Sequence, residues 1–514
     1  MKKLSLLLAL VMALSCVSGI AVAEEPVKLT WMYPLGDGFQ VIDSMSENPT
    51  IQMANAACNV EVEFIHPPVG QETEQYNLML AGDELPDIIT HGWGMPSNYP
   101  GGADAAIDDG FFLDLKDLIA ENAPNFQKIL DTNEVVRKAV TTDSGYVWSM
   151  CMVDLTAQPQ WDGPTIRTDI WNKYNLPTPV TIEDWYNSLT IIKEGESASN
   201  PDFIAPLWLV SLTNSFNEFM GSFNADNTFQ LDAEGNVVFG PITDNYKAYL
   251  TEMNKWYSEG LIQPDFAASG WSGAEPFQTG KTAAMTSCGF WNFDSWTAVA
   301  SQTTPEFEMD SVPYPQLVEG ELPKIGYTAT QARGYDTVIT ADCKNPEAAV
   351  AYLDWFYSDD AFVQANWGVE GEDHIVKEDG TYVYTDAIVN NPEGIGLNIM
   401  NFKRLFSHGP FLRDWERENG SYGEASNACH STWGNSATDE WMMPTNLTMT
   451  TEEGTEFNTI MTDINTYVSE NTTAFVTGER SLEEWDAYVA QIKAMNIETA
   501  TAIEAAAYER WANR

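Results

Sequence analysis

Residues 280–296 read GKTAAMTSCGFWNFDSW. The segment opens with a Gly-Lys turn and continues through small and β-prone residues, 282–288. It then breaks at Gly289 into Phe290, Trp291, Phe293 and Trp296. A strand that ends in glycine and delivers aromatics beyond its carboxyl end marks the place where open α/β sheets hold ligands. Aromatics are also the commonest packing residues, so core and site readings compete for each ring. The interleaved polar residues Asn292, Asp294 and Ser295 favour a wall that is partly wet.

The chain on either side is built of the same units. Residues 27–33, 60–65 and 86–90 read as strands, with helices at 42–58 and 71–81 between them. This β-α-β-α-β opening implies right-handed crossovers and a mostly parallel sheet. Further strands are expected at 145–152, 204–212 and 337–340, and hairpins at 229–239 and 377–385. Thr181 with Asp184 three residues on is close to a capping box ahead of a helix at 185–193. Helices are also expected at 244–258, 345–357, 452–477, 485–495 and 498–512. The 229–239 hairpin lacks the acidic spacing of a calcium loop.

The first 23 residues read as a signal peptide: Lys2 and Lys3, an apolar run at 4–15, and Ala21-Val22-Ala23 ahead of Glu24. Cys16, after Ala13-Leu14-Ser15, offers a second reading as a lipid-anchored cysteine. Both readings imply export. The remaining chain of about 490 residues is enough for two to four domains' worth of core. The formal charge is −50, from 75 acidic and 25 basic residues. This argues against nucleic acid or an anionic membrane as partner, because both need basic surface. Cys58, Cys151, Cys288, Cys343 and Cys429 are odd in number, scattered and without a CxxC pair. Free buried thiols are therefore expected.

Several passages together resemble the extracellular solute-binding proteins of ABC importers, specifically solute-binding protein family 1, the carbohydrate binders, and its lipoprotein-like large-chain subgroup. Thr165-Ile166-Arg167-Thr168-Asp169-Ile170-Trp171-Asn172-Lys173-Tyr174, with Pro179 and Thr181-Ile182-Glu183-Asp184-Trp185, is similar to that family's passage into its second lobe. Trp256-Tyr257-Ser258-Glu259-Gly260-Leu261-Ile262, followed by Phe277-Gln278-Thr279-Gly280-Lys281-Thr282-Ala283-Ala284-Met285, resembles its W-x-x-E-G-L-I and F-x-x-G-K-A-A-M signature. Asn345-Pro346-Glu347-Ala348-Ala349 resembles its N-P-E-A-A helix. The resemblance implies an α/β fold of the type 2 periplasmic-binding-protein kind: a two-lobed clamp, each lobe a mostly parallel sheet flanked by helices. The N-terminal lobe is expected at 24–158 and 325–398, and the C-terminal lobe at 159–324 and 399–514.

The same resemblance implies capture of a neutral oligosaccharide and its delivery to membrane permease subunits. The protein is expected to be a monomer with no enzymatic activity, cofactor or metal. Neutral sugars need flat rings for their C–H faces and short polar groups for their hydroxyls. With 18 tryptophans the chain has such rings in quantity. By family position, Trp291 follows the G-K-A-A-M strand, Trp93 lies in a first-lobe contact loop, and Trp433 belongs to a late aromatic wall. Trp208 and Trp271 are further candidates, with hinge or core packing as the rival reading. Asp37, in the loop after the first strand, is an expected hydroxyl acceptor. Arg167 either reaches the cleft or pairs with Asp169. Asp294 and Asn292 are polar neighbours of Trp291, and Arg333 and Glu370 complete the candidates. Phe290, Phe293 and Trp296 are expected to hold the loop in place. His91, His408 and His430 are isolated. Alternative readings are a binder of peptides or another polar solute on the same fold, or a secreted glycoside hydrolase.

Overall fold

A computed structural model describes residues 25–82, 84–90, 99–213, 218–327, 329–332 and 334–514. The expected leader with Cys16, and also His91, Trp93 and Arg333, lie outside the described residues.

The first sheet grows from Val27–Met32, which pairs in parallel with Val60–Ile65 on one side and Ile88–Thr90 on the other. Thr337–Ile339 closes the sheet antiparallel to Ile88–Thr90. Alternation sets the faces: Val60 and Val62 are buried, while Glu61 and Glu63 are exposed. The first crossover helix is Pro49–Cys58, shorter than the expected 42–58. Asn48 caps it, its side chain accepting from the N–H groups of Thr50 and Ile51, and Pro49 occupies the first turn. Proline cannot continue a helix from upstream, so residues 45–47 form only a short 3₁₀ turn.

The second sheet has the order Met309–Ser311, Asp162–Arg167, Ala284–Gly289, Leu207–Trp208. In place of the mostly parallel arrangement expected in each lobe, this sheet is mixed. Only Leu207–Trp208 runs parallel to Ala284–Gly289, and the other two pairings are antiparallel. The cause is connectivity: Asp162–Arg167 enters the lobe from the crossing segment and runs away from it, whereas Ala284–Gly289 runs back towards it. The expected strand at 145–152 is reduced to single bridges, Thr141 to Val147 and Met150 to Thr337, and regular pairing begins at Val153–Asp154.

Each sheet has its own core. Leu29, Trp31, Ile119, Phe126, Leu353 and Phe356 belong to the first, and Ile166, Trp185, Tyr249, Trp256, Ile464 and Phe475 to the second. Phe402, Phe406 and Phe411 pack in the first core, and the helix Thr451–Thr477 packs largely in the second. From this packing we propose that the last crossing between lobes falls near residues 412–415 and not at 399. Three crossing segments lie side by side there. Val153–Asp154 pairs in parallel with Leu412–Arg413, and Val153 bridges to Ala332. The buried Arg413 guanidinium donates to both carboxylate oxygens of Asp154 at 2.5 and 2.9 Å. Such a fork-to-fork pair fixes orientation as well as charge. The five cysteines after the leader are free thiols.

Candidate functional site

The crossing segments adjoin one end of each sheet, and we propose that these two ends line the cleft between the lobes. On the second lobe this end of the sheet holds the carboxyl end of Ala284–Gly289 and the start of Asp162–Arg167. On the first lobe it holds the carboxyl ends of Val27–Met32 and Ile88–Thr90 and the start of the antiparallel Thr337–Ile339.

Trp291 stands at the second-lobe edge, 39% exposed, at the N-terminus of the helix Asn292–Ala300. Its ring lies against Gly289 so closely that a Cβ there would come within 2.3 Å of Trp291 Cζ2. Trp161 meets it edge to face, with centroids 6.1 Å apart and planes at 81°. Trp161 in turn packs on Trp415 at 5.6 Å, and the Arg413 guanidinium sits 4.9 Å above the Trp415 ring. Beneath this wall Phe290 is buried among Trp161, Trp415, Tyr422 and His430. Its N–H donates to Trp161 O at 2.9 Å, which ties the two strand ends together. Phe293 is likewise buried, and Trp296 is half-buried against Phe277. These three rings hold the loop and Trp291 projects from it.

At the facing edge of the first lobe, the 3₁₀ turn Gly36–Gln40 presents exposed Asp37 and Phe39. Tyr335 stacks on His408 at 4.0 Å, and burial and the nearby Arg413 and Arg417 push that imidazole down to about 3, so it is neutral. Asp336, beside Tyr335, is pushed up to about 7 by burial, partly offset by the Ser149 hydroxyl donating to it at 3.1 Å. A carboxyl poised near neutrality can donate as well as accept.

Several expected contacts lie elsewhere. Trp433 is 1% exposed, packed under Gly163 with its indole N–H donating to Pro164 O at 3.3 Å, so it is core. Trp208 is buried over Gly273 and donates to Gly270 O. Register places it opposite Met285, four residues before Gly289, about 13 Å from the edge. Trp271 is 61% exposed, but on the turn under Trp208, so it stands with that residue and not with Trp291. Arg167, 2% exposed, forms a two-pronged pair with Asp169 at 2.8 and 2.6 Å. It also donates to Phe277 O and lies over Phe307, which leaves nothing for a ligand. Asp294 accepts from the Gly423 N–H at 2.8 Å and serves the next helix. Glu370 is exposed at a turn bridging to His374, in an outlying unit packed on Trp367 and Tyr384.

Sequence reasoning passed over Trp161, Trp415, Phe39, Tyr335 and Asp336. Trp161 had a signal, since it lies within Pro159–Pro164, where the chain is expected to change lobe. Among the described residues no group of acidic, histidine and cysteine side chains could hold a metal, and no helix is long and apolar enough to cross a membrane.

The family model for bacterial extracellular solute-binding proteins matches residues 46–361. Lipoprotein LipO of Bacillus subtilis is 22% identical over 366 residues, 67% of each chain. The fructooligosaccharide ABC transporter substrate-binding protein FusA of Streptococcus pneumoniae is 22% identical over 319 residues, 58% of this chain and just over half, 56%, of that one. In structure, FusA in complex with fructo-nystose superposes with a TM-score of 0.73 at 19% identity, covering 95% of this chain and all of that one. The alginate-binding protein AlgQ2 gives 0.73 at 20% identity, with 95% and 99% covered. These likenesses establish the two-lobed fold, and the family match spans more than half of the sequence. The chain belongs to the bacterial extracellular solute-binding proteins, a family of binding proteins and not of enzymes.

Proposed function

We propose that this protein captures a neutral oligosaccharide between its lobes and delivers it to the permease of an ABC importer. The observation that carries this reading is the exposed Trp291 indole, braced by Trp161 on the rim that faces the first lobe. An indole face held in this way takes the C–H face of a sugar ring, while Asp37 and Asp336 supply hydroxyl partners. Ligand-driven closure results if the ligand touches both lobes and so binds the closed state better. The buried arginines Arg167, Arg413 and Arg417 are committed to protein partners, so none of these three is available to an acidic ligand or a peptide carboxylate. FusA is named for fructooligosaccharides, which fits the same ligand class. Trp93 and Arg333 remain proposed contacts on the first-lobe side. Export, with the mature chain beginning after Ala23 or anchored through Cys16, and a monomeric state complete the proposal.

The test is a thermal-shift and titration screen with kestose, maltotriose and tripeptides. A neutral oligosaccharide should raise the melting temperature and change tryptophan fluorescence, with no reducing ends released. Trp291→Ala should weaken binding by roughly 1–3 kcal/mol. Binding of tripeptides alone would move the assignment to a peptide carrier, and turnover of the glycan to a hydrolase.

A further inference from the structure

The strand that leads to Trp291 is irregular just before its end. In the pairing of Asp162–Arg167 with Ala284–Gly289, Gly163 stands opposite Cys288 and Thr165 opposite Met285. Pro164 therefore faces two residues, Thr286 and Ser287. Proline has no N–H to give the ladder, and a bulge with one extra residue is the usual accommodation. Ser287 takes the strain: its φ is +52°, a left-handed conformation that costs a serine free energy unless its surroundings enforce it.

The enforcing group is Glu218. Its carboxylate accepts from the Ser287 N–H at 2.5 Å and from the Ser287 hydroxyl at 3.2 Å, and both residues are buried. The Thr286 hydroxyl is occupied on the other side, accepting from the Val210 N–H at 2.9 Å. Side chains alternate along a strand, so an extra residue reverses the face of every later one. Cys288 and Gly289 are the strand residues that this reversal turns over, and they set the direction in which the chain leaves the strand at Phe290 for the helix that Trp291 begins.

We propose that Glu218 is a positioning residue of the cleft: by holding the Ser287 bulge opposite Pro164 it decides that Phe290 enters the core and Trp291 stands on the rim. The proposal rests on the reading of Trp291 as a sugar platform, but its primary test needs no sugar. Protein labelled with 5-fluorotryptophan gives a Trp291 fluorine resonance, assigned through Trp291→Phe. Glu218→Ala should shift or broaden that resonance in the ligand-free protein and weaken kestose or maltotriose binding roughly tenfold. Glu218→Gln, which keeps an acceptor oxygen, should restore most of both. Ser287→Val attacks the same bulge from the other side, because a β-branched residue resists positive φ, and should move the resonance with Glu218 intact. An unmoved Trp291 resonance in both Glu218→Ala and Ser287→Val overturns the positioning role. A resonance that moves in both, in a protein whose wild type binds neither sugar, supports the positioning role and overturns the sugar reading instead.

Discussion

The Trp291 and Trp433 indoles each lie against a glycine, with opposite consequences. A Cβ on Gly289 would meet Trp291, and a Cβ on Gly163 would meet Trp433, each at 2.3 Å. Trp291 has solvent to move into and Trp433 has none. Gly289→Ala should therefore displace the Trp291 ring and weaken oligosaccharide binding at least as much as it lowers stability. Gly163→Ala overpacks a closed site and should cost about 1–3 kcal/mol of stability, read from denaturant unfolding. Glu504 is a second residue whose surroundings set its behaviour: burial alone pushes its carboxyl up to about 7. A folded value above the unfolded one means that the stability advantage of the protonated form is full below about pH 4 and is lost as the pH rises through 7. Glu504→Gln should match the wild type near pH 4 and exceed it by about 1–2 kcal/mol at pH 8, an estimate reduced for its partial exposure. Unfolding curves of the pair across pH check this.

At the scale of elements, the helix Asn292–Ala300 is tied to the following lobe segment through Asp294, which accepts from Gly423 N–H at the start of the helix Glu424–Gly434. That helix has no cap of its own from Gly423. Asp294→Ala should cost about 1 kcal/mol in stability, and Asp294→Asn, which keeps an acceptor oxygen, should recover most of it. Elements whose determinants are local could be read directly from the sequence. Thr181 and Asp184 do form a reciprocal capping box, and residues 60–65 form the strand their alternation predicts. Elements that depend on distant partners could not. Residues 145–152 look like a strand, but their hydrogen bonds go to scattered places such as Thr337 and Val140. The same limit governs the site. Trp291 follows a strand, Trp208 ends one and Trp433 lies in a helix, and only the neighbours that cover them distinguish rim from core. Trp433 is core because helix Glu424–Gly434 lays it on Gly163, a contact between residues 270 positions apart. Arg167 could be left only as a choice between cleft and Asp169, because the backbone carbonyl of Phe277 that completes its shell comes from another part of the chain.

At the scale of the whole molecule, the lobes are joined by more than the three crossing segments. The helix Thr451–Thr477 packs its later turns into the second core, yet its first turn touches the first lobe, where Gly454 abuts the Gly101 backbone and Thr451 donates to Asp108. The final helix, Ile497–Ala512, ends on the same region. Asp143, whose carboxylate is fully buried, accepts from Arg510 Nε at 2.6 Å and from Arg514 and Thr448. Arg510 also pairs with Glu453, and Lys138 sits 4.7 Å over the Trp511 ring. A clamp whose lobes rotate about the crossing segments must either carry this contact as part of its pivot or break it. The contact is made by a buried carboxylate and partly buried, multiply bonded arginines, which resist separation, so the pivot is the expected role. Asp143→Ala leaves two arginines without their shared acceptor. Breaking a fully buried pair costs about 3–5 kcal/mol, and the partial exposure of Arg510 lowers the expected loss to about 2 kcal/mol. Beyond that loss, the ligand-free protein should sample a wider range of interlobe distances by double electron–electron resonance between spin labels on the two lobes. The sugar-bound distance should stay unchanged, since ligand contacts to both lobes then set the angle. A wild-type distance distribution in Asp143→Ala would show that the crossing segments alone define the motion.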